Sequence, residues 1–255
     1  MNGSEIAKSG YDNEYRLVEM FKSFEDHPEA QEMLRQMGFE PSELLAGDVT
    51  ATKIPGTVKA DIELIIKGES RLVSAKKYMP GADYNHVARS SVDSYHKSFG
   101  FTDTVRECLE VFTGSVLPCD NPDVLAKDVN HTRSRKRATL REIKERYVED
   151  TLGFFRDNSG KIVDHIFCGS HKQRPDYMII TKITNGEKPG YYLIPMDKVV
   201  GFYLGAGNVS ISPRGSLSLG AFITVQRKGG TGSPTNLQFK FKPSAIVKTL
   251  GASHC

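Results

Sequence analysis

At 255 residues, with 38% hydrophobic and 25% charged side chains and a mean hydropathy of -0.38, the chain is long enough for one good core and reads as an ordinary soluble globular protein. No apolar run approaches the roughly 20 residues needed to span a bilayer, the N-terminus is too polar for a signal peptide, and a net charge of +3 is too small to require a nucleic-acid partner. Cys108, Cys119, Cys168 and Cys255 show no CxxC spacing, which argues against a zinc site or a disulfide framework and fits reduced thiols in a cytoplasm.

The spacing of Leu17, Met20, Phe21 and Phe24 predicts a helix over 13–26, ended by Pro28, and a second short helix follows over 29–37. Glu14 falls on the apolar stripe of the first helix. A carboxylate there needs a partner, and both a first-turn glutamate favoured by the helix dipole and a metal ligand satisfy the pattern.

The run from Lys59 to Lys76 alternates in period two on both sides of Lys67-Gly68-Glu69-Ser70, which predicts a hairpin. Asp61, Glu63 and Ile65 share one side of its first strand, and Leu72, Ser74 and Lys76 share one side of its second. With the turn centred on those four residues, Asp61 faces Lys76 and Glu63 faces Ser74. A carboxylate beside an ammonium suits metal-assisted phosphodiester cleavage: the carboxylate holds Mg²⁺, and the lysine orients or deprotonates water and offsets phosphate charge. The same pair is also an ordinary cross-strand salt bridge.

A helix is then predicted over 83–99, with Ala88, Val92, Tyr95 and Phe99 as its stripe. Asn85, His86 and Arg89 lie near its start on another face, suited either to a DNA groove or backbone or to plain solvent. Helices over 103–112 and 138–157 follow, the latter with Leu140, Ile143, Tyr147 and Leu152 as core contacts. Basic residues cluster at Arg133, Arg135, Lys136 and Arg137, at His171, Lys172 and Arg174, and at Arg227 and Lys228, while the first 50 residues are acid-rich, which suggests one basic face. From Lys161 onward the segments IVDHIFC, YMIITKI, YYLIPM, VVGFYL, VSISP, AFITVQRK and LQFKFK read as strands separated by Gly/Pro/Asn turns. The fold class is therefore α+β, a single domain with helices and the hairpin over 1–113 and a strand-rich half over 161–250.

Asp176, before the strand YMIITKI, lacks a lysine partner and reads as a turn or strand-end contact. No GxSxG or HExxH occurs. Ser210, Ser212, Arg214, Ser216, Gln226, Arg227, Lys228, Gln238 and Lys240 place cationic and hydrogen-bonding groups at strand ends and in glycine loops, as a DNA-binding surface would.

NVSISPRGS, VQRKGG and LQFKFKP, together with AKSGYDNE and HPEAQEMLRQMGF near the N-terminus, resemble the small type II restriction endonucleases of the HinP type, relatives of MspI. The resemblance implies a PD-(D/E)xK nuclease: a central mixed sheet flanked by helices, Mg²⁺ as cofactor, and double-strand cuts in a short GC-rich palindrome, GCGC first. It assigns Asp61 to the metal and Ser74-Ala75-Lys76 to the (D/E)xK element, with Ser74 where most members carry a carboxylate. Glu14 or Glu63 then supplies the second carboxylate, Glu14 being favoured. Asn85, His86, Arg89, Ser212, Arg214, Gln226, Arg227 and Lys228 become the DNA contacts. A restriction-modification system in a bacterial or archaeal cytoplasm, with a cognate DNA methyltransferase as functional partner and the nuclease as a monomer or homodimer, completes the expectation. The rival readings are a strand-nicking repair nuclease of the same core and a non-catalytic DNA-binding module.

Overall fold

The computed structural model describes residues 3–56, 58–81, 83–127, 129, 132–169, 174–228 and 234–250. His171, Lys172, Gly229, Gly230 and Cys255 lie outside the described residues. In chain order the elements begin with α1 (Gly3–Lys22), α2 (Pro28–Gln36), β1 (Val49–Lys53), β2 (Ile62–Ile66), β3 (Glu69–Tyr78) and β4 (Asn85–Ser90). Next come α3 (Val92–Phe99), α4 (Asp103–Thr113), α5 (Glu145–Asp157), α6 (Ser159–Cys168), β5 (Tyr177–Lys182), β6 (Gly190–Pro195) and α7 (Met196–Leu204). The chain closes with β7 (Val209–Ile211), β8 (Leu217–Leu219), β9 (Ile223–Arg227), β10 (Leu237–Phe241) and α8 (Pro243–Leu250). These form two compact units, one of Met1–Asn85, Cys168–Val200 and Pro243–Cys255, the other of His86–Phe167 and Gly201–Lys242.

In the first unit the strands run in the order β1-β2-β3-β5-β6, antiparallel except for the parallel β3–β5 pair. Leu17, Val18, Met20 and Phe21 of α1 pack with Ala30, Met33 and Leu34 of α2 onto one sheet face, against Val49, Ala51, Ile62, Leu64, Ile66, Val73, Ala75 and Ile179. The period-two alternation therefore leaves Asp61, Glu63, Ser74 and Lys76 on the other face.

The hairpin turn contains two residues rather than four. Lys67 and Gly68 both take positive φ, 48° and 83°, the mirror-image turn whose twist suits a β-hairpin. Ile62 then pairs with Val73 and Ile66 with Glu69. The ladder is shifted by two residues from the expected one, so Asp61 stands opposite Ser74 and Glu63 opposite Leu72. A shift of two keeps every side chain on its face, where a shift of one would have reversed them all.

The second sheet runs β4-β10-β9-β8-β7. The helix predicted over 83–99 is two elements: β4 carries Asn85, His86 and Arg89, and Ser91 starts α3 by accepting a hydrogen bond from the Ser94 amide at 3.1 Å. Val92, Tyr95 and Phe99 are buried as the stripe required. The helix predicted from Ala138 starts only at Glu145, because Thr139 and Glu142 close a capping box around one 3-10 turn at Leu140–Glu142. In that segment Phe155 is buried, and Leu152 is half-exposed. Two predicted strands are helices: Ile162, Val163, Ile166 and Phe167 of α6, and Met196, Val199 and Tyr203 of α7, are buried at helical spacing. Their β-branched and aromatic content favours strands locally, and tertiary burial overrides it. The core of the second unit is aromatic, with Tyr95 stacked on Phe99 and edge-on to Phe239, and Phe101 against Phe154 and Phe155.

Candidate active site

Asp61 caps the start of β2 with its amide bonded to the Val73 carbonyl at 2.8 Å. Three donors converge on one of its carboxylate oxygens, Oδ2: the Ala75 amide at 2.7 Å, Lys76 Nζ at 2.9 Å and the Ser74 hydroxyl at 3.1 Å. The other oxygen, Oδ1, accepts no hydrogen bond among the described residues. Ser74 is 2% exposed, and the Asp61 and Lys76 side chains are 22% and 18% exposed, so the pair is largely shielded from solvent yet reachable. Lys76 Nζ also donates to the Ala75 carbonyl at 3.0 Å. An ammonium has three hydrogens, so one remains available to a ligand. The parallel β3–β5 ladder sets Lys76 beside Ile180, which is fully buried, and this fixes the lysine stem.

A second lysine joins this group. Burial first, then the nearby Lys76 ammonium, lower the Lys59 pKa to about 8, against the opposing pull of Asp61 and of Cys168. Its stem passes so close to Gly169, φ 70°, that a Cβ there would lie 2.8 Å from Lys59 Cγ. Nothing in the local pattern around Lys59 signals this placement. Between pH 8 and 10.5 the unfolded chain binds the Lys59 proton and the folded chain does not, so stability in EDTA is expected to rise with pH across that window, by on the order of 3 kcal/mol at most. Lys59→Met should stabilise the protein at pH 7 and flatten that rise. Chemical denaturation over the pH range measures both, and an unchanged profile would contradict the placement.

The two candidate second carboxylates are elsewhere engaged. Glu14 pairs with Lys53 Nζ at 2.7 Å, and Lys53, on the face of β1 that α1 covers, also lies over the rings of Tyr11 and Tyr15 at 3.9 and 4.9 Å. Glu63 shares the face of Asp61 and accepts from the Ser70 hydroxyl at 2.8 Å. Asp176 behaves as a strand-end contact, its Oδ2 accepting from the Leu72 amide at 2.7 Å. Among the described residues no group of three or more His, Cys, Asp or Glu side chains converges as a metal site.

In the second unit the outward side of β9 and β10 is polar, with Gln226 opposite Gln238 and Thr224 opposite Lys240. Gln226 donates to the Thr224 hydroxyl at 3.1 Å. On β4, His86 and Arg89 are exposed and Asn85 half-exposed. Arg214 is exposed at the tip of a tight turn in which the Ser212 hydroxyl accepts from the Ser216 amide at 3.1 Å. Arg227 is half-buried, donating to the Ala138 carbonyl at 3.1 Å and lying over the Phe112 ring; burial, then neighbouring Arg137, lowers its pKa. Arg137 donates to the Lys228 carbonyl at 3.0 Å and Arg135 pairs with Glu142, so part of the basic run braces its own unit.

Residues 55–247 match the family model described as R.HinP1I restriction endonuclease, a span that includes both Asp61 and Lys76. The chain belongs to that family. The endonuclease is thus a site-specific deoxyribonuclease, as its sequence resemblance implied. Its structure is similar to that of the restriction endonuclease MspI, solved in complex with its cognate DNA, with a TM-score of 0.60 over 94% of this chain and 93% of that one. At 13% identity the likeness is one of fold, and it bears out the mixed α+β restriction-endonuclease-like architecture. A comparison with the curated proteins gives no match.

The endonuclease's residues suit a hard cation of modest protein ligation. Mg²⁺ keeps several waters and is bound through one or two carboxylates plus substrate phosphate, rather than by a full protein cage. Asp61 Oδ1, set by the three donors on Oδ2, would provide one such carboxylate oxygen, and Ser74 and the Ala75 carbonyl are the adjacent oxygen groups. No described helix is long and apolar enough to cross a membrane.

Proposed function

We propose that this endonuclease makes Mg²⁺-dependent double-strand cuts in a short GC-rich palindrome, GCGC first, and that Asp61, Ser74 and Lys76 form its catalytic centre. The observation that carries the proposal is the three-donor grip on Asp61 Oδ2, which leaves Oδ1 and one Lys76 hydrogen without a partner among the described residues. Bound Mg²⁺ would supply charge stabilisation at the scissile phosphate and an acidified water. The chain's own residues do the rest. The Ala75 amide and Ser74 hydroxyl hold the Asp61 carboxylate in one orientation. Lys76, anchored by Asp61 and the Ala75 carbonyl, donates its remaining hydrogen to the attacking water or to a non-bridging phosphate oxygen and offsets charge as the bond breaks. Asn85, His86, Arg89, Arg214, Gln226 and Lys228 are the candidate DNA contacts, with Ser212 shaping the turn that carries Arg214 and Arg227 acting as a brace. A cognate methyltransferase would protect the host's own sites. The test is to map fragment ends on a sequenced DNA: ends confined to one palindrome support the reading, and ends at random positions contradict it.

Between the two further carboxylates, the register favours Glu63, which shares the Asp61 face, over Glu14, which Lys53 neutralises. Glu63→Gln is therefore expected to raise the Mg²⁺ concentration needed for half-maximal cleavage severalfold, and Glu14→Gln chiefly to lower thermal stability. A Mg²⁺ titration of both variants decides this, and the reverse pattern would return Glu14 to the metal.

A further inference from the structure

On the Asp61 face of the first sheet, a cleft of about 440 Å³ lies between the end of β3, strands β5 and β6, and α8. The ladders place Tyr78 beside Lys182, two rungs beyond the Lys76–Ile180 pair, and Tyr192 beside Ile180, so all project from the face that carries Ser74 and Lys76. Lys248 of α8 completes the rim. Asp83, the one carboxylate among the described lining residues, is taken up by α8: its Oδ1 accepts from the Ser244 amide at 3.1 Å and its Oδ2 from the Ser244 hydroxyl. Neither Lys182 nor Lys248 forms an ion pair among the described residues. Tyr78 is 5% exposed, and among the described residues nothing hydrogen-bonds its hydroxyl. Burial, with Tyr192 and Asp83 nearby, raises that phenol to about 12, so it stays a donor. Two cations and a phenol donor that the described residues leave without an acceptor suit an anion in this cleft.

We propose that this cleft binds a backbone phosphate of the DNA a short step from the phosphate being cut, through Lys182, Lys248 and the Tyr78 hydroxyl. The inference rests on the nuclease reading above. Tyr78 lies two residues beyond Lys76, about 7 Å along the strand, and one strand of B-DNA carries a phosphate for roughly every 3.4 Å of axial rise. The spacing fits a phosphate one or two positions from the scissile one. Such a contact fixes the register of the strand at the catalytic centre without reading sequence.

The test uses Asp61→Asn protein in EDTA, which binds without cutting, with and without Lys182→Gln and Lys248→Gln together. The slope of log affinity against log salt should fall by about one for cognate and random duplexes alike, so that raising salt from 50 to 200 mM costs roughly fourfold less affinity. Tyr78→Phe should weaken both duplexes severalfold with their ratio unchanged. With Asp61 intact, the lysine variant should cut at the normal rate at saturating DNA and show a raised KM. An unchanged salt slope overturns the proposal, as does loss of rate with affinity intact. Inorganic phosphate that binds these lysines without any change in the DNA slope would assign the cleft to a free anion and also overturn it. Failure of the nuclease reading is a separate result, since it appears as an unmodified protein that does not cut DNA with Mg²⁺.

Discussion

Asp61→Asn is expected to lower DNA cleavage by at least about a thousandfold, since metal-assisted charge stabilisation supplies several kcal/mol, while leaving DNA binding in EDTA largely intact. The geometry sets this outcome. Three donors converge on Oδ2 of Asp61, so the asparagine must turn its amide oxygen toward them and place its NH₂ where Oδ1 stood. A neutral donor then replaces a carboxylate oxygen where a cation would bind, with almost no change in shape. Single-turnover cleavage and a binding isotherm on the same preparation separate the two effects. Cleavage near the unmodified rate would remove Asp61 from the mechanism.

The second large effect separates neighbouring lysines. Lys76→Ala should reduce the cleavage rate by roughly a hundredfold or more, in the range seen for loss of one preorganised donor to a developing charge. Lys77 sits on the opposite face of β3, next to Thr181 in the ladder, and Lys77→Ala should change the rate only a few-fold. Removing Lys76 also leaves the Asp61 carboxylate with only neutral donors in a shielded position, so a loss of stability accompanies the loss of rate. Thermal unfolding followed in parallel shows whether the variant is folded when assayed. Equal losses at both positions would mean that β3 presents a different face to the substrate.

The legible parts of this fold are those where a period alone decides the outcome. The buried stripes of α1 and α3 and the two-sided pattern of the hairpin all follow from spacing. The grouping of Asp61, Ser74 and Lys76 is readable even though the register is not: Lys67 accepting a left-handed conformation shortens the turn by two residues, and a two-residue shift returns the three side chains to a common face. Local pattern failed where tertiary burial decides between helix and strand. The β-branched and aromatic runs of α6 and α7 form helices because their apolar side chains are needed on one stripe, and β4 forms because Ser91 begins the next helix later than the stripe suggested. Lys59 was invisible for a different reason. Its place beside Asp61 depends on Gly169, far along the chain, which leaves room for the lysine stem. Arg227 looked like a base-reading group from its strand-end position, yet its guanidinium bonds a backbone carbonyl of a distant loop, and only the three-dimensional structure brings that partner near.

The most direct measurement is incubation of the purified chain with supercoiled plasmid in Mg²⁺ or in EDTA. Discrete double-strand fragments are expected with Mg²⁺ and intact plasmid with EDTA. Nicked circles alone, or a gel shift without cleavage, would contradict the proposed double-strand cutting.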